Sequence, residues 1–338
     1  MMQPVPLVSG WNLLPFVHFL RGIGAPVERW LGESRIHPER LTRPDEPIPL
    51  LHMLDFVERA AHAEGAESLA VDVGRQTAAE CLGAFGTQLG RCVTLHDRAE
   101  TTRRLLSMSN NCESMWLERD GGNVRLHALI DAPSEPGRRH GDDFTLMLML
   151  EAIGRAAPPG WKPQAIYLPG TRSRRFARDE LFQGVQMVYG APNITIVFDA
   201  DLLGNPLRPL SGTRGAAAQG VTATPPGRDM PADFVSSLED TVIGLLPFGC
   251  PTVNELAEVQ RSTPRTLQRH VMACGTSIRQ VVDRARFRLA REYLRDSSAS
   301  VTDIALRLGY SDSTAFTRAF HRLAGMSPST YRQCHIDA

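Results

Sequence analysis

One helical motif occurs twice in the last third of the chain, and this duplication constrains the fold more than any other feature. The first copy runs from Val253 to Val271 and the second from Val301 to Phe320. Val253, Leu256 and Ala257 correspond to Val301, Ile304 and Ala305 at an offset of 48 residues. Past a tight turn the offset becomes 49, so Leu267, Arg269 and Val271 correspond to Phe316, Arg318 and Phe320. Apolar residues fall at helical spacing on both sides of the turn, which predicts a short helix, a turn and a second helix in each copy.

The second helix of each copy has two unlike faces. In the first copy Leu267 and Val271 face inward, Thr263 stands as N-cap and Pro264 opens the helix. Its outer face carries Arg265, Gln268 and Arg269. In the second copy Phe316, Phe320 and Leu323 are expected inside, leaving Ser313, Thr314, Thr317 and Arg318 outside. Arginine and glutamine are shaped for bidentate contact with guanine and adenine edges, so these seven residues are the expected contacts to double-stranded DNA. The plain alternative is a solvated helix face. Its weight falls because the motif is duplicated, with Arg269 and Arg318 equivalent.

Between the copies Ser277–Leu294 reads as one long amphipathic helix, about 27 Å at 1.5 Å per residue. That length suits a spacer for two reading helices in successive major grooves, about 34 Å apart. Arg279, Arg284, Arg286, Arg288 and Arg291 lie along it, some of them candidates for phosphate contact.

These residues resemble the AraC/XylS family of bacterial transcription regulators. The resemblance is carried by Leu267-Gln-Arg269, Gly275-Thr-Ser277, Ala290-Arg-Glu-Tyr-Leu294, Ile304-Ala305, Leu308-Gly-Tyr310, Ala315-Phe-Thr-Arg-Ala-Phe320 and Gly325-Met-Ser-Pro-Ser-Thr-Tyr-Arg332. It implies two helix-turn-helix units joined by a linker helix and bound to an asymmetric promoter or operator site. Activation through RNA polymerase belongs to the same expectation. The chain departs from the pattern at the first turn, which lacks the Gly-aromatic pair present as Gly309-Tyr310.

A length of 338 residues predicts two domains and a linker. From residue 251 onward, thirteen arginines stand against eight acidic residues, while the whole chain is neutral. A basic tail on an acidic front half suits a duplex binder whose regulatory half does not touch DNA. The six cysteines are scattered without zinc spacing, so reduced thiols and no metal are expected. No apolar run reaches the roughly 18 residues of a membrane span, and the start lacks a basic region before its first apolar stretch. A cytoplasmic protein without a membrane partner follows.

Residues 1–208 read as a mixed α/β effector-sensing and dimerisation domain, 209–230 as a flexible linker and 231–338 as the all-α DNA-binding domain. Helices are expected over Trp11–Leu20, Ala25–Leu31, Ile48–Ala63, Gln76–Leu89, Ala99–Met108, Phe144–Arg155 and Arg174–Leu181. Strands are expected over Leu69–Val73, Cys92–Leu95, Ser114–Glu118, Val124–Ile130, Ala165–Leu168, Val185–Val188 and Ile194–Phe198, with a hairpin turn at Asp120-Gly121-Gly122-Asn123. The linker proper, Asn205–Met230, holds four prolines and four glycines and keeps no apolar period.

Chemistry in the front half has few candidates. His140-Gly-Asp142-Asp143 has an acid/base flavour but no further ligand at defined spacing, and Asp142 is expected to cap a helix starting near Phe144. Gly170-Thr-Arg-Ser-Arg-Arg175 lacks a phosphate-loop pattern and reads as a loop. No nucleophile-elbow, dinucleotide or kinase signature is present, so no catalytic residues or cofactors are expected. The stretch Pro158–Leu207, with Trp161-Lys-Pro163, Phe182 and Gly190-Ala-Pro-Asn-Ile-Thr-Ile-Val-Phe198, resembles the amino-terminal domain of the ornithine-utilisation-regulator type within the same family. That resemblance implies a small-molecule effector and a homodimer. Trp11, His18, Arg21 and Trp30 are the pocket candidates, polar or aromatic residues in otherwise apolar helices. Two other readings stay open: a front domain that only dimerises, and an enzyme fused to a DNA-binding tail.

Overall fold

A computed structural model of the chain describes residues 3–131, 137–172, 174–176, 180–210, 228–296 and 299–336. Near the front, β1 (Leu7–Ser9) and β2 (Pro47–Pro49) form a short antiparallel pair. The main sheet has five strands: β3 (Glu113–Asp120), β4 (Asn123–Ile130), β5 (Ala165–Leu168), β6 (Gln186–Tyr189) and β7 (Ile194–Asp199). Their order is β3-β4-β7-β5-β6, antiparallel except where β5 meets β6. The hairpin turns at Gly121-Gly122 as its sequence demands, with Gly121 at φ 61°.

Strand alternation aims Val124, Leu126 and Ala128 of β4 and Ile194, Ile196 and Phe198 of β7 into one buried cluster. The helix that covers it is α8 (Arg138–Ala156), through Leu146, Met149, Leu150 and Ile153. Around this layer stand α1 (Leu14–Gly22), α2 (Val27–Glu33), α3 (Glu39–Thr42), α4 (Leu50–Ala63), α5 (Leu69–Gln76), α6 (Gly83–Leu89) and α7 (Leu95–Leu105).

Several expectations change here. Leu69–Val73 is the start of α5, not a strand: the β-rich run is short and is buried against α8, so periodicity could not decide. Cys92–Leu95 forms no strand, only an isolated bridge from Thr94 to Pro206 ahead of α7. The single helix expected over Gln76–Leu89 breaks into the end of α5, a 3-10 turn at Ala79–Cys81 and α6. Leu82 separates the last two, and Gly83, at φ 62°, opens α6. Two 3-10 turns, Arg174–Phe176 and Glu180–Phe182, replace the expected helix, with 177–179 outside the described residues.

The tail half follows the duplicated pattern. It comprises α9 (Phe234–Leu245), α10 (Val253–Val259), α11 (Pro264–Ala273), α12 (Ile278–Asp296), α13 (Val301–Arg307), α14 (Ser313–Ala324) and α15 (Pro328–Ile336). Capping boxes open both first helices, Thr252 with Glu255 and Ser300 with Asp303. Leu256, Ala257, Leu267, Val271, Ile304, Ala305, Phe316 and Phe320 are buried in one core. Leu323 is an exception to the expected inner face: it is exposed on the last turn of α14.

The two turns are alike despite their different residues. Gly309 takes φ 74°, and Arg261, at the equivalent place, takes φ 50°. Tyr310 N–H donates to Ala305 O at 3.0 Å, and Ser262 N–H donates to Ala257 O at 2.8 Å. The first turn therefore reaches the same conformation through an arginine held in the left-handed region.

The halves are not strung apart. Val5 and Leu7 lie in the tail's buried core beside Met230, Phe234 and Leu238. Val5 N–H donates to Ser237 Oγ at 2.8 Å, and Met230 N–H donates to Ser107 O at 2.7 Å. The tether expected over Asn205–Met230 is thus described only at its ends. Leu207 N–H is held by Val93 O and Met230 is buried, while 211–227 lie outside the described residues.

The turns yield a stability prediction. A non-glycine residue in the left-handed region costs about 1–2 kcal/mol. Arg261→Gly should therefore raise the thermal midpoint. Gly309→Ala should lower it, because its Cβ would also stand 3.2 Å from Arg286 Nη2. Thermal unfolding of the two variants, followed by circular dichroism, checks the opposite signs.

Candidate nucleic-acid interface and front-domain cavity

On α11, Arg265, Gln268 and Arg269 are exposed, with Leu267 and Val271 fully buried beneath them. On α14, Thr314 and Arg318 are exposed, Ser313 and Thr317 are half-buried, and Phe316 and Phe320 anchor the inner face. Thr263 and Asp312 cap these two helices, accepting from Thr266 N–H at 3.2 Å and Ala315 N–H at 2.7 Å. The structure therefore sets the seven residues on the outer parts of the second helices of the two copies.

The linker-helix arginines divide by role. Arg284 pairs with Glu239, and Arg288 with the fully buried Asp240. Arg291 donates to Tyr331 Oη at 2.9 Å. Arg286 donates to Gly309 O at 3.0 Å and lies 4.6 Å over the Tyr310 ring, fixing the second turn. These four build the fold. Arg279 is exposed and shares a groove with Arg318, Arg322 and Asp283 beside α14.

The front half holds a partly open cavity of about 90 Å³. Its wall is largely apolar, with Leu82, Phe85, Leu95, Leu148 and Met149 among the lining residues. From α7 it receives positions 95, 98, 99 and 102, and from α8 positions 145, 148, 149 and 152, one face of each helix. Two ionisable side chains join the lining, Arg98 and Glu113.

Their electrostatics differ. Arg98 is buried, and its guanidinium pairs with Glu80 and with Glu151 at 3.4 Å. Arg155 pairs with the same two acids, closing a four-residue network of zero net charge. Burial pushes the Glu80 carboxyl up, but Arg98 and Arg155 outweigh it and hold the group down at about 2. Among the described residues Glu113 receives only neutral donors, the Thr145 hydroxyl and Asn110 Nδ2, the latter at 3.1 Å. Burial lifts its carboxyl to about 7. It still keeps some accessible surface, as a side chain on a cavity wall does.

Of the residues singled out as pocket candidates, Trp11 packs beside this wall, against the cluster of Ala79, Leu82 and Phe85, with its indole N–H on Asp45 at 2.8 Å. His18 is exposed on α1, and Arg21 is exposed and paired with Glu28 at 2.8 Å. Trp30 is buried in the helical cluster of α1, α2 and α4. None of the four lines the cavity. Sequence reasoning passed over Arg98 and Glu113. A signal existed for Arg98, a charge set in the apolar stripe of Leu95, Ala99 and Leu106.

The His140 cluster is also corrected. Because α8 begins at Arg138, after Gly137 at φ 81°, Asp142 and Asp143 lie inside the helix and cap nothing. Asp142 pairs with Arg138 at 3.0 Å and Asp143 with Arg175 at 2.6 Å, so both carboxylates serve buried ion pairs. Arg175, the last residue of the Gly170–Arg175 stretch, stands in the 3-10 turn Arg174–Phe176 and is engaged in that pair. Among the described residues no group of His, Cys, Asp and Glu is placed to hold a metal.

Comparison with known proteins bears on both halves. A family model described as the arabinose-binding domain of AraC transcription regulators, N-terminal, matches residues 24–207, and a helix-turn-helix domain model matches 256–333. The chain is similar to the ornithine utilization regulator of Pseudomonas aeruginosa, 27% identical over 89% of this chain and 88% of that protein. It is also similar to the transcriptional regulator VirS of Mycobacterium tuberculosis, 23% identical over 98% of each. The crystal structure of the regulator CdpR from Pseudomonas aeruginosa aligns over 91% of this chain and 96% of that one, at 20% identity and a TM-score of 0.38.

The raised Glu113 makes a pH prediction. A carboxyl held above its ordinary value costs stability above that raised value, and the cost fades as pH falls through it. Glu113→Gln should raise the thermal midpoint near pH 8 and change it little near pH 5. Thermal unfolding of both proteins across that range gives the comparison, and a gain independent of pH would contradict the assignment.

Proposed function

This chain belongs to the AraC family of DNA-binding transcription regulators, and on that footing we propose that α11 and α14 read base edges in major grooves under the control of a small molecule bound in the front-domain cavity. The observation that carries the first part is the equivalent, exposed setting of Arg269 and Arg318 on helices whose opposite faces are buried. Arg265, Gln268, Ser313, Thr314 and Thr317 are the supporting contacts. The effector reading rests on a cavity with apolar walls and two placed ionisable groups, the usual make-up of a small-molecule site. A front domain that only dimerises needs no such cavity, and that favours the effector reading. The relatives named above are regulators, and a cytosolic, non-enzymatic role in which a homodimer meets RNA polymerase at the promoter completes the proposal.

Control has a physical route. The front half seats on the first helix-turn-helix unit: Arg35 pairs with Glu255, the capping residue of α10, and His37 packs edge-on against Phe248 at 5.9 Å. Glu39 lies 4.0 Å from Arg307 of the second unit. A ligand that shifts this seat changes how the reading helices are presented.

Arg269→Ala and Arg318→Ala should each weaken binding to the specific site by about 1–3 kcal/mol and relax base preference at different positions, one helical turn apart. Equal losses on specific and random duplexes, in fluorescence anisotropy, would reduce both residues to phosphate contacts. Binding should also weaken steeply with salt, because released counterions drive association. An anisotropy titration series between low and physiological salt reads the slope, and a flat response would count against duplex binding. For the effector, a thermal-shift screen of the full chain should give a saturable rise with the correct ligand, since a ligand that binds only the native state stabilises it.

A further inference from the structure

The cavity holds one acid with no ion-pair partner among the described residues. Among the described residues Glu113 makes no ion pair, and its donors, Asn110 and the Thr145 hydroxyl, are neutral. The charged groups facing it from α8 are Asp142 and Arg138, and these are joined to each other at 3.0 Å. Arg98, from α7, lines the same cavity, but its guanidinium is committed to Glu80 and Glu151, which Arg155 also serves. Cys112 is the adjacent thiol, and burial raises it, so it brings no charge near neutrality.

Three ligand chemistries can be compared against these walls. A carboxylate would stand beside Glu113 with no guanidinium left to neutralise it. A diamine would strand its second charge against Leu82, Phe85, Leu95, Leu148 or Met149, and an unpaired charge in apolar surroundings is costly. A single ammonium supplies the missing cation, and in a site of low dielectric such a pair is strong when its hydrogen bonds are met. A carboxylate accepts about four hydrogen bonds. Asn110 and Thr145 leave acceptor positions for the ligand's N–H groups. Resting on the cavity as the effector site, we propose that its ligand is a small amphipathic monoamine, with its ammonium on Glu113 and its apolar body against the α6, α7 and α8 walls.

The match has a proton signature. The free protein holds Glu113 partly protonated near neutrality, since burial sets it at about 7. An ammonium favours the carboxylate, so binding expels that proton and tightens as pH rises from 5.5 towards 8. A ligand acid would show the opposite trend, because it needs Glu113 protonated.

Isothermal titration of the full chain with n-hexylamine, hexanoate, n-hexanol and 1,6-diaminohexane tests the proposal. Hexylamine should bind with protons released, seen as a heat that depends on the buffer's ionisation enthalpy, and about tenfold more tightly than hexanoate or the diamine. Glu113→Gln should cost hexylamine about tenfold and leave hexanol unchanged. If that variant fails to fold, proton release by the unaltered chain carries the test. Leu148→Trp, which fills the cavity, should abolish binding of all compounds. Hexanoate binding as tightly as hexylamine, or affinity rising as pH falls, overturns the monoamine while leaving the cavity as effector site if Leu148→Trp blocks it. Binding that survives Leu148→Trp, or no binding by any compound, overturns both readings.

Discussion

Burial of Val5 and Leu7 in the tail's core is the constraint on which the rest of the arrangement depends. Each is fully buried among residues of α9 and the helix-turn-helix units, more than 200 positions further along the chain. Burying such side chains contributes about 1.5–3 kcal/mol apiece. Their backbone groups are also satisfied there. Asn111 accepts from Leu7 N–H at 2.8 Å and donates from Nδ2 to Val5 O and Pro231 O at 3.0 and 2.8 Å. One side chain thus ties the first strand to the opening of the tail domain. Removing either apolar residue would loosen the seat of α9 and, with it, the presentation of α10 and α11.

The same short segment reaches the cavity. Ser109 and Glu113 line it, while Asn111 between them holds the seam. β1 is hydrogen-bonded on both sides, to β2 and to this segment through Ser9 N–H on Ser109 O at 2.7 Å. A ligand drawing on Glu113 therefore acts two residues from the clamp that joins the halves. That contiguity is the physical content of the control proposed above. It requires no rigid linker, because the docked contacts of Arg35, His37 and Glu39 already connect front and tail.

The sequence disclosed the tail because its information is local. Apolar spacing, Thr263-Pro264 and the repeat itself specify helices within some 20 residues, and the left-handed turn at Arg261 was hidden only because arginine there gives no signal. The front half was less legible. Leu69–Val73, with valines at 71 and 73, reads as a short strand that tertiary burial turns into a helix, and the stretch 76–89 hides a break before Gly83. The cavity was not legible at all. It forms where α6, α7, α8 and β3 converge, and no spacing along the chain joins Leu82, Arg98, Glu113 and Leu148. The seam was equally hidden, since Val5 looks like any exposed residue of a leading segment until α9 covers it.

Charge shows how the two halves divide their work. The tail's excess of arginine suggests a uniform basic surface, but the structure spends much of it internally. Arg284, Arg286, Arg288 and Arg291 hold α12 against α9, the second turn and α15, and Arg322 pairs with Asp283 at 3.1 Å. Long arginine stems pack well while their forks satisfy several acceptors at once, so these positions serve stability before affinity. Exposed surface is kept by Arg265 and Arg269 on α11, Arg318 on α14 and Arg279 beside it, and also by Arg261, Arg291, Arg295, Arg307 and Arg322. Two of these stand at equivalent points of the duplicated motif. On the proposed reading, a duplex would meet Arg269 and Arg318 as a matched pair set among other exposed arginines, so contact with base edges and attraction to phosphates would act together.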